Sequence, residues 1–283
     1  MFILLFSAVL AESLVEIVNS DPTSSWVAID YPREVITLAK MRAMLGDETE
    51  VDGLETMEYV EPDGVPTSFD ARQQWPGKLF AVRNQQSCGS CWAHATSEAV
   101  GDRFAIKGCS KGVLSVQDLV SCDKNDNGCN GGSGPRAMSY AQSRGITTET
   151  CLPYVSGNGR VPSCPSKCKN NSTITRYKTQ NNPTFTVANV QQELMNNGPL
   201  YFRFTVYSDF MNYKSGVYQH KSGKQEGGHA VLLVGWGVEN GVKYWLCQNS
   251  WGPSWGERGF FKILRGNNHC DSEKGFWAGS VKC

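Results

Sequence analysis

Apolar residues recur at helical spacing through the first half of this chain. In the second half they run in alternating or continuous strings, so helices and strands are expected to segregate. Near the start, Val35, Ile36, Leu38, Ala39, Met41 and Leu45 mark a short amphipathic helix from Pro32 through Leu45, with Gly46 as its stop. An acidic, turn-rich stretch from Asp47 to Gly64 reads as a linker. Three further helices are predicted: an Ala-rich one from Cys91 to Ile106, one from Ser115 to Cys122 with Ser115 and Asp118 placed for capping, and one from Pro135 to Arg144 ended by Gly145. After a last helix from Val187 to Asn197, stopped by Gly198, the pattern changes period. Strands are expected at Leu200 to Tyr207, His229 to Trp236, Lys243 to Gln248 and Phe260 to Leu264, with Asn240-Gly241 as a hairpin turn. This is an α+β arrangement, without internal repeats.

A length of 283 residues accommodates one large domain or two smaller ones, and a net charge of zero suggests no nucleic-acid partner. The zero conceals an asymmetry: residues 1–64 carry 3 Lys/Arg against 13 Asp/Glu, whereas residues 65–283 carry 24 against 14. An acidic leader should be drawn to a basic body. The first eleven residues are apolar but too short to span a bilayer, and Ala8 and Ala11 suit a signal-peptide cleavage site. Entry into the secretory pathway is therefore expected, with no membrane partner. Eleven cysteines on that route imply disulfides, and the odd count leaves at least one thiol unpaired, Cys91 being the natural candidate.

Cys88-Gly89-Ser90-Cys91-Trp92 places a thiol at the mouth of the Ala-rich helix, where unpaired backbone N–H groups and the positive end of the helix dipole favour thiolate. Alone, the same string is also a Cys-x-x-Cys, compatible with a thiol oxidoreductase or half a zinc site. Residues downstream decide. His229, in Gly227-Gly228-His229-Ala230, and Asn249, in Asn249-Ser250-Trp251-Gly252, follow Cys91 by 138 and 158 residues. Those offsets lie near the roughly 130–150 residues by which His and Asn trail the cysteine of the papain family. From residue 65 to 283 the chain resembles a papain-family cysteine protease, and Val206 to Tyr218 is similar to the cathepsin B branch.

The resemblance implies a two-lobed fold, a helical left lobe and a β-barrel right lobe with the active-site cleft between them. It implies a signal peptide at 1–11, a propeptide at 12–64 and a protease domain at 65–283. It also implies hydrolysis of peptide bonds without metal or cofactor. Cys91 would be the nucleophile, His229 its acid–base partner, Asn249 the residue orienting the imidazole, and Gln85 the side-chain donor to the oxyanion. Trp251 resembles the indole that shields the His–Asn bond, and with Gly131, Gly132 and Gly275 it is placed among residues lining the substrate groove. Disulfides are implied between Cys88 and Cys129, Cys122 and Cys164, and Cys151 and Cys168, leaving Cys109, Cys247, Cys270 and Cys283 unassigned. Expected partners are protein and peptide substrates, the chain's own propeptide and cystatin-like inhibitors, the enzyme acting as a monomer in a lysosome-like compartment or outside the cell.

Several features depart from cathepsin B. The interval between Cys151 and Cys164 is short and lacks histidine, so the loop that makes cathepsin B a dipeptidyl carboxypeptidase is effectively absent and an endopeptidase is expected. Gly275 stands where cathepsin B has a glutamate in the pocket for the substrate's second residue, and Arg203 lies on the strand expected to line that pocket, so a preference for Arg there is unexpected. Gln86 replaces a family glycine, which predicts mild backbone strain. Of the other histidines, His94 reads as a satisfied core residue, and His220 and His269 as surface. Asn170-Asn171-Ser172-Thr173 holds two overlapping glycosylation sequons. A protease-shaped binding protein without turnover is the contrasting reading; loss of Cys91, His229 or Gln85 would have signalled it.

Overall fold

The computed structural model describes residues 13–50, 59 and 61–283. The expected signal peptide and most of the expected linker lie outside them. The helices are α1 (Leu14–Ser20), α2 (Leu38–Met44), α3 (Ala71–Gln74), α4 (Cys91–Ile106), α5 (Val116–Cys122), α6 (Gly134–Ser143) and α7 (Val190–Asn197). The strands are β1 (Trp26–Ala28), β2 (Phe69–Asp70), β3 (Thr184–Phe185), β4 (Leu200–Tyr207), β5 (Tyr213–Tyr218), β6 (Gln225–Glu239), β7 (Val242–Gln248), β8 (Phe260–Leu264) and β9 (Phe276–Trp277). Among the described residues they form one sheet in the order β1-β5-β8-β7-β6-β4-β9-β3, with β2 added on β6. Only β5–β8 is parallel. The architecture is α+β with a helical and a sheet-rich part, but the sheet is an open path rather than the closed barrel expected.

The long strand β6 explains how the two parts meet. Successive side chains on a strand point to opposite faces. Val231 and Leu233 accordingly enter the sheet-side core with Phe202, Phe204 and Trp245, while Ala230, Leu232 and Val234 enter the core around α4 with Trp92, Phe104 and Leu119. A strand buried on both faces reads as an unbroken apolar run, as Val231 to Val234 does. Helix α4 is buried from Cys91 through Ala105, including Glu98, Asp102 and Arg103. It is the central element against which both cores pack, not an amphipathic surface helix.

Helix ends follow their predicted chemistry. The Ser115 hydroxyl accepts from the Asp118 N–H at the start of α5, Gly145 adopts φ +82° after α6, and Gly198 adopts φ +99° after α7. The helix expected from Pro32 to Leu45 is shorter. Arg33 to Val35 form a turn in which the Val35 N–H reaches Pro32 O, and α2 begins only after Thr37, whose hydroxyl caps the Lys40 N–H. Helix α7 likewise starts at Val190 rather than Val187. α1 and β1 were not expected: α1 opens on a capping box between Ser13 and Glu16, and β1 is a three-residue strand that pairs with β5.

The three disulfides implied by resemblance are present, and Cys109 pairs with Cys283. Cys91, Cys247 and Cys270 are free thiols. The N-terminal segment is also part of the core: Val18, Trp26, Ile36, Met41 and Met44 are buried in the sheet-side cluster. Apolar burial, in addition to the charge complementarity read from the sequence, therefore holds it to the body.

Candidate active site

Cys91 is the first residue of α4 and is wholly buried. Ser90, at the N-cap, makes no side-chain cap bond; the Ala93 and His94 N–H groups bond Ser90 O, and the Trp92 N–H approaches the sulfur. Burial, and then the nearby Asp47 carboxylate, push the thiol up to about 12, against the opposing pull of the Ala230, Trp92 and Gly46 backbone N–H groups. The helix start alone would favour thiolate. With the N-terminal segment in place, desolvation wins.

His229 lies on β6 opposite Phe204 of β4, one residue from the Ala230 N–H that approaches the Cys91 sulfur. Its Nε2 is 2.8 Å from Asn249 Oδ1, and the same oxygen accepts from the Ser250 N–H at 2.8 Å. An oxygen already accepting a backbone N–H identifies the amide orientation, so His229 donates through Nε2–H and leaves its Nδ1 lone pair free. Nδ1 is buried with no hydrogen-bond partner. Burial pushes this imidazole down to about 4, although the Asn249 bond acts the other way. The Trp251 ring sits 4.9 Å from the His229 ring, covering the imidazole–amide pair. Burial thus pushes both groups toward their neutral forms, thiol and imidazole.

Gln85 is held on both sides of its amide. The Ser250 hydroxyl donates to its Oε1 at 2.7 Å, which aims Nε2 at the cleft, where it donates to Met44 O and Cys88 O at 2.8 Å each. The side-chain donor therefore points at a main-chain carbonyl of the N-terminal segment. Next to it, Gln86 has φ +56°, the strain anticipated for a non-glycine residue there.

Residues 44–48 run through the cleft. The Gly46 and Asp47 N–H groups donate to Gly228 O at 3.2 and 3.1 Å, Gly132 N–H donates to Gly46 O at 2.9 Å, and Glu48 N–H donates to Gly132 O at 2.7 Å. Two glycines permit this close approach: a Cβ on Gly46 would stand 2.4 Å from Gly89 O, and one on Gly228 would stand 2.3 Å from Asp47 O. Asp47 pairs with Gly132 in parallel register. Cys91, His229, Asn249, Gln85, Trp251, Gly131 and Gly132 are brought together, with Glu48 packed against Gly131. Gly275 instead sits before β9, where a Cβ would meet the Trp277 ring at 2.8 Å.

Three partners of the site were not read from the sequence. Ser250 orients Gln85, and Tyr154 donates its hydroxyl to Gln85 O at 2.8 Å. Asp47 was read only as linker; the signal available was an acid directly after a glycine that ends a helix. His94 is buried as expected, its Nδ1 3.0 Å from Ser90 O, and burial pushes it down to about 3. His220 and His269 are not simple surface residues. The His220 N–H donates to His269 Nε2 at 2.8 Å, and His220 Nδ1 lies 3.2 Å from the buried Asp209 carboxylate.

Comparison with known proteins agrees with this geometry. The family described as papain family cysteine protease matches residues 65–279. Cathepsin B-like CP2 of Giardia intestinalis is 42% identical over 231 residues, covering 78% of this chain and 76% of that protein. Cathepsin B-like cysteine proteinase 3 of Caenorhabditis elegans is 37% identical, covering 95% and 82%. Among solved structures, proCathepsin B S9 from Trypanosoma congolense superposes with a TM-score of 0.87 at 30% identity, covering 97% of this chain and 99% of that one. A digestive procathepsin L2 from Tenebrio molitor gives 0.74 at 28% identity, covering 91% and 84%. A free thiol at a helix start, a buried His–Asn pair beside it and these relatives lead to one statement: the chain belongs to the papain family of cysteine proteases and is cathepsin B-like.

Proposed function

We propose that the chain is the zymogen of a cysteine endopeptidase, with residues 65–283 as the enzyme and residues 12–64 as an inhibitory propeptide. One observation carries this reading: an unbridged Cys91 at the helix start, its sulfur approached by the Ala230 N–H, next in the chain to a His229 whose Nδ1 is free and whose Nε2 is fixed by Asn249. When the segment leaves and water enters, the burial that holds the thiol up and the imidazole down is relieved. The proton then passes from Cys91 to His229, giving thiolate and imidazolium. The thiolate adds to the scissile carbonyl carbon, and the developing oxyanion is met by the Gln85 amide and the Cys91 N–H. The imidazolium gives its proton to the departing amine, leaving an acyl-enzyme. As base, His229 then activates the water that releases the acid and restores the thiol.

A thiol oxidoreductase is disfavoured because Cys88 is bonded to Cys129, not to Cys91. Endopeptidase specificity is supported by the short stretch 152–163, which contains no histidine to bind a terminal carboxylate. Internally quenched peptides with free and amidated C-termini test this. Amidation should change kcat/KM by less than about threefold, whereas dipeptide release confined to free termini would show an exopeptidase. The apolar N-terminus supports passage through the secretory route to a lysosome-like compartment or the exterior. Among the described residues no helix is long and apolar enough to cross a membrane.

Charge pairing supports retention of the propeptide. Lys221 holds Asp21 at 2.7 Å, Arg136 holds Glu48 at 2.9 Å, and Lys243 and Arg265 hold Glu61 at 2.7 and 2.9 Å. The Lys221 bond brings Asp21 down to about 2, and Glu61, pushed up by partial burial, is nonetheless drawn to about 2 by Lys243 and Arg265. Carboxylates depressed on docking stabilise the docked state fully above their free values near ~4. That contribution is lost only as pH falls from ~4 toward ~2. At pH 5 these pairs are still charged, so raising ionic strength should speed conversion to the processed form several-fold, and Glu61→Gln should do likewise. A conversion rate, followed by gel, that ignores both would leave apolar burial as the sole grip.

A further inference from the structure

The geometry points to an acidic-residue specificity subsite in the mature enzyme, built from Arg203 and Tyr201 of β4, that takes an Asp or Glu side chain of the substrate two residues before the scissile bond. It rests on the protease reading above. The Asp47 carboxylate of the N-terminal segment fills the site here. Its Oδ2 accepts from Arg203 Nε at 3.0 Å, and its Oδ1 accepts from the Tyr201 hydroxyl and from Thr49 of the same segment. The Asp47 side chain is fully buried, the Arg203 side chain is 9% exposed and Tyr201 is fully buried.

Position ties this pocket to the reaction. Gly46, whose N–H approaches the Cys91 sulfur, is the neighbour of Asp47; both donate to Gly228 O, and Gly46 O and the Glu48 N–H, on either side of Asp47, bond the backbone of Gly132. A side chain one residue removed from the sulfur-facing position therefore enters the pocket between those two backbone edges. An extended substrate using the same edges would direct a side chain into the same place.

Charge then decides what that side chain is. Among the described residues the only ion pair of Arg203 is with Asp47. Arg203 and Tyr201 belong to the body, so removal of the segment takes away Asp47 and Thr49 and leaves the guanidinium and the phenol without the carboxylate that they hold here. A substrate carboxylate that covers the site in its turn restores the lost pair, whereas a substrate without one would bury the cation unpaired. A pocket of this charge excludes Arg and Lys and accepts Asp or Glu.

The test uses enzyme processed from the full chain and fluorogenic peptides identical except for Asp, Asn, Leu or Arg at the second position before the cleaved bond. Asp should exceed Asn in kcat/KM by about 10- to 100-fold, the scale of a desolvated charge pair set against its neutral isostere. Arg203→Gln should bring the Asp/Asn ratio close to one, and Arg203→Glu should make Arg preferred over Asp. The wild-type ratio needs no variant, so misfolding of a substituted enzyme does not rescue the idea. If peptides are cleaved but Asp is no better than Asn, the pocket serves only to grip the N-terminal segment and this inference is overturned alone. If no peptide is cleaved and a peptidyl epoxide leaves Cys91 unlabelled, the protease reading fails and takes this one with it.

Discussion

Cys91→Ala is expected to leave the fold intact and to lower peptide hydrolysis by on the order of 10⁵- to 10⁶-fold, the scale seen when a covalent nucleophile is deleted. The sulfur is outside all four disulfides, and its contacts are backbone N–H groups of Ala230, Trp92 and Gly46. Alanine is a better helix former and lies comfortably at the buried start of α4. The variant should therefore accumulate as full-length chain, unable to remove its own N-terminal segment, with an unchanged thermal midpoint within a few degrees. Kinetics and melting curves measured on the same preparation separate the two effects. Substantial residual hydrolysis in a folded variant would remove Cys91 from the mechanism. Loss of the fold would mean instead that the sulfur's role is packing.

Gln85→Ala should be the next most damaging change, costing about 10² to 10³ in kcat with a smaller effect on KM, because a donor aimed at developing negative charge acts mainly in the transition state. The structure sharpens this expectation. Ser250 fixes the amide oxygen, so the amide nitrogen cannot rotate away, and an alanine leaves no substitute donor at that position. Since Gln85 also donates to Met44 O, the same substitution should loosen the N-terminal segment and hasten its removal by an added protease. Slower catalysis together with quicker release distinguishes a lost donor from general damage. A kcat within threefold of wild type would discard the oxyanion role.

Much of this arrangement was legible because its signals are local. Gly145 and Gly198 end helices through left-handed geometry that a glycine allows, and Asn240-Gly241 turns β6 into β7 through two positive φ values. The spacing of Cys91, His229 and Asn249 carried the constellation, and burial on two faces explained the continuous run in β6. What escaped depends on partners distant in the chain. β1 is a strand because Trp26 and Val27 meet Gly216 and Ser215, and no pattern in three residues announces that pairing. Cys109 and Cys283 are separated by 174 positions. At Cys91 the helix start favours the anion, while burial, and then the Asp47 carboxylate, push the thiol the other way with the segment in place, a partner distant in the chain. Arg203 was noticed as an oddity, yet its partner lay in a stretch that reads as linker.

Every disulfide falls within residues 88–283, and no cysteine precedes them. If the backbone is severed ahead of residue 65, as proposed, nothing covalent would restrain the detached fragment, and its hold would become a bimolecular equilibrium governed by concentration. Activity should then rise on dilution and fall again when the free fragment is added back, so concentration alone would set how long latency outlasts the cut.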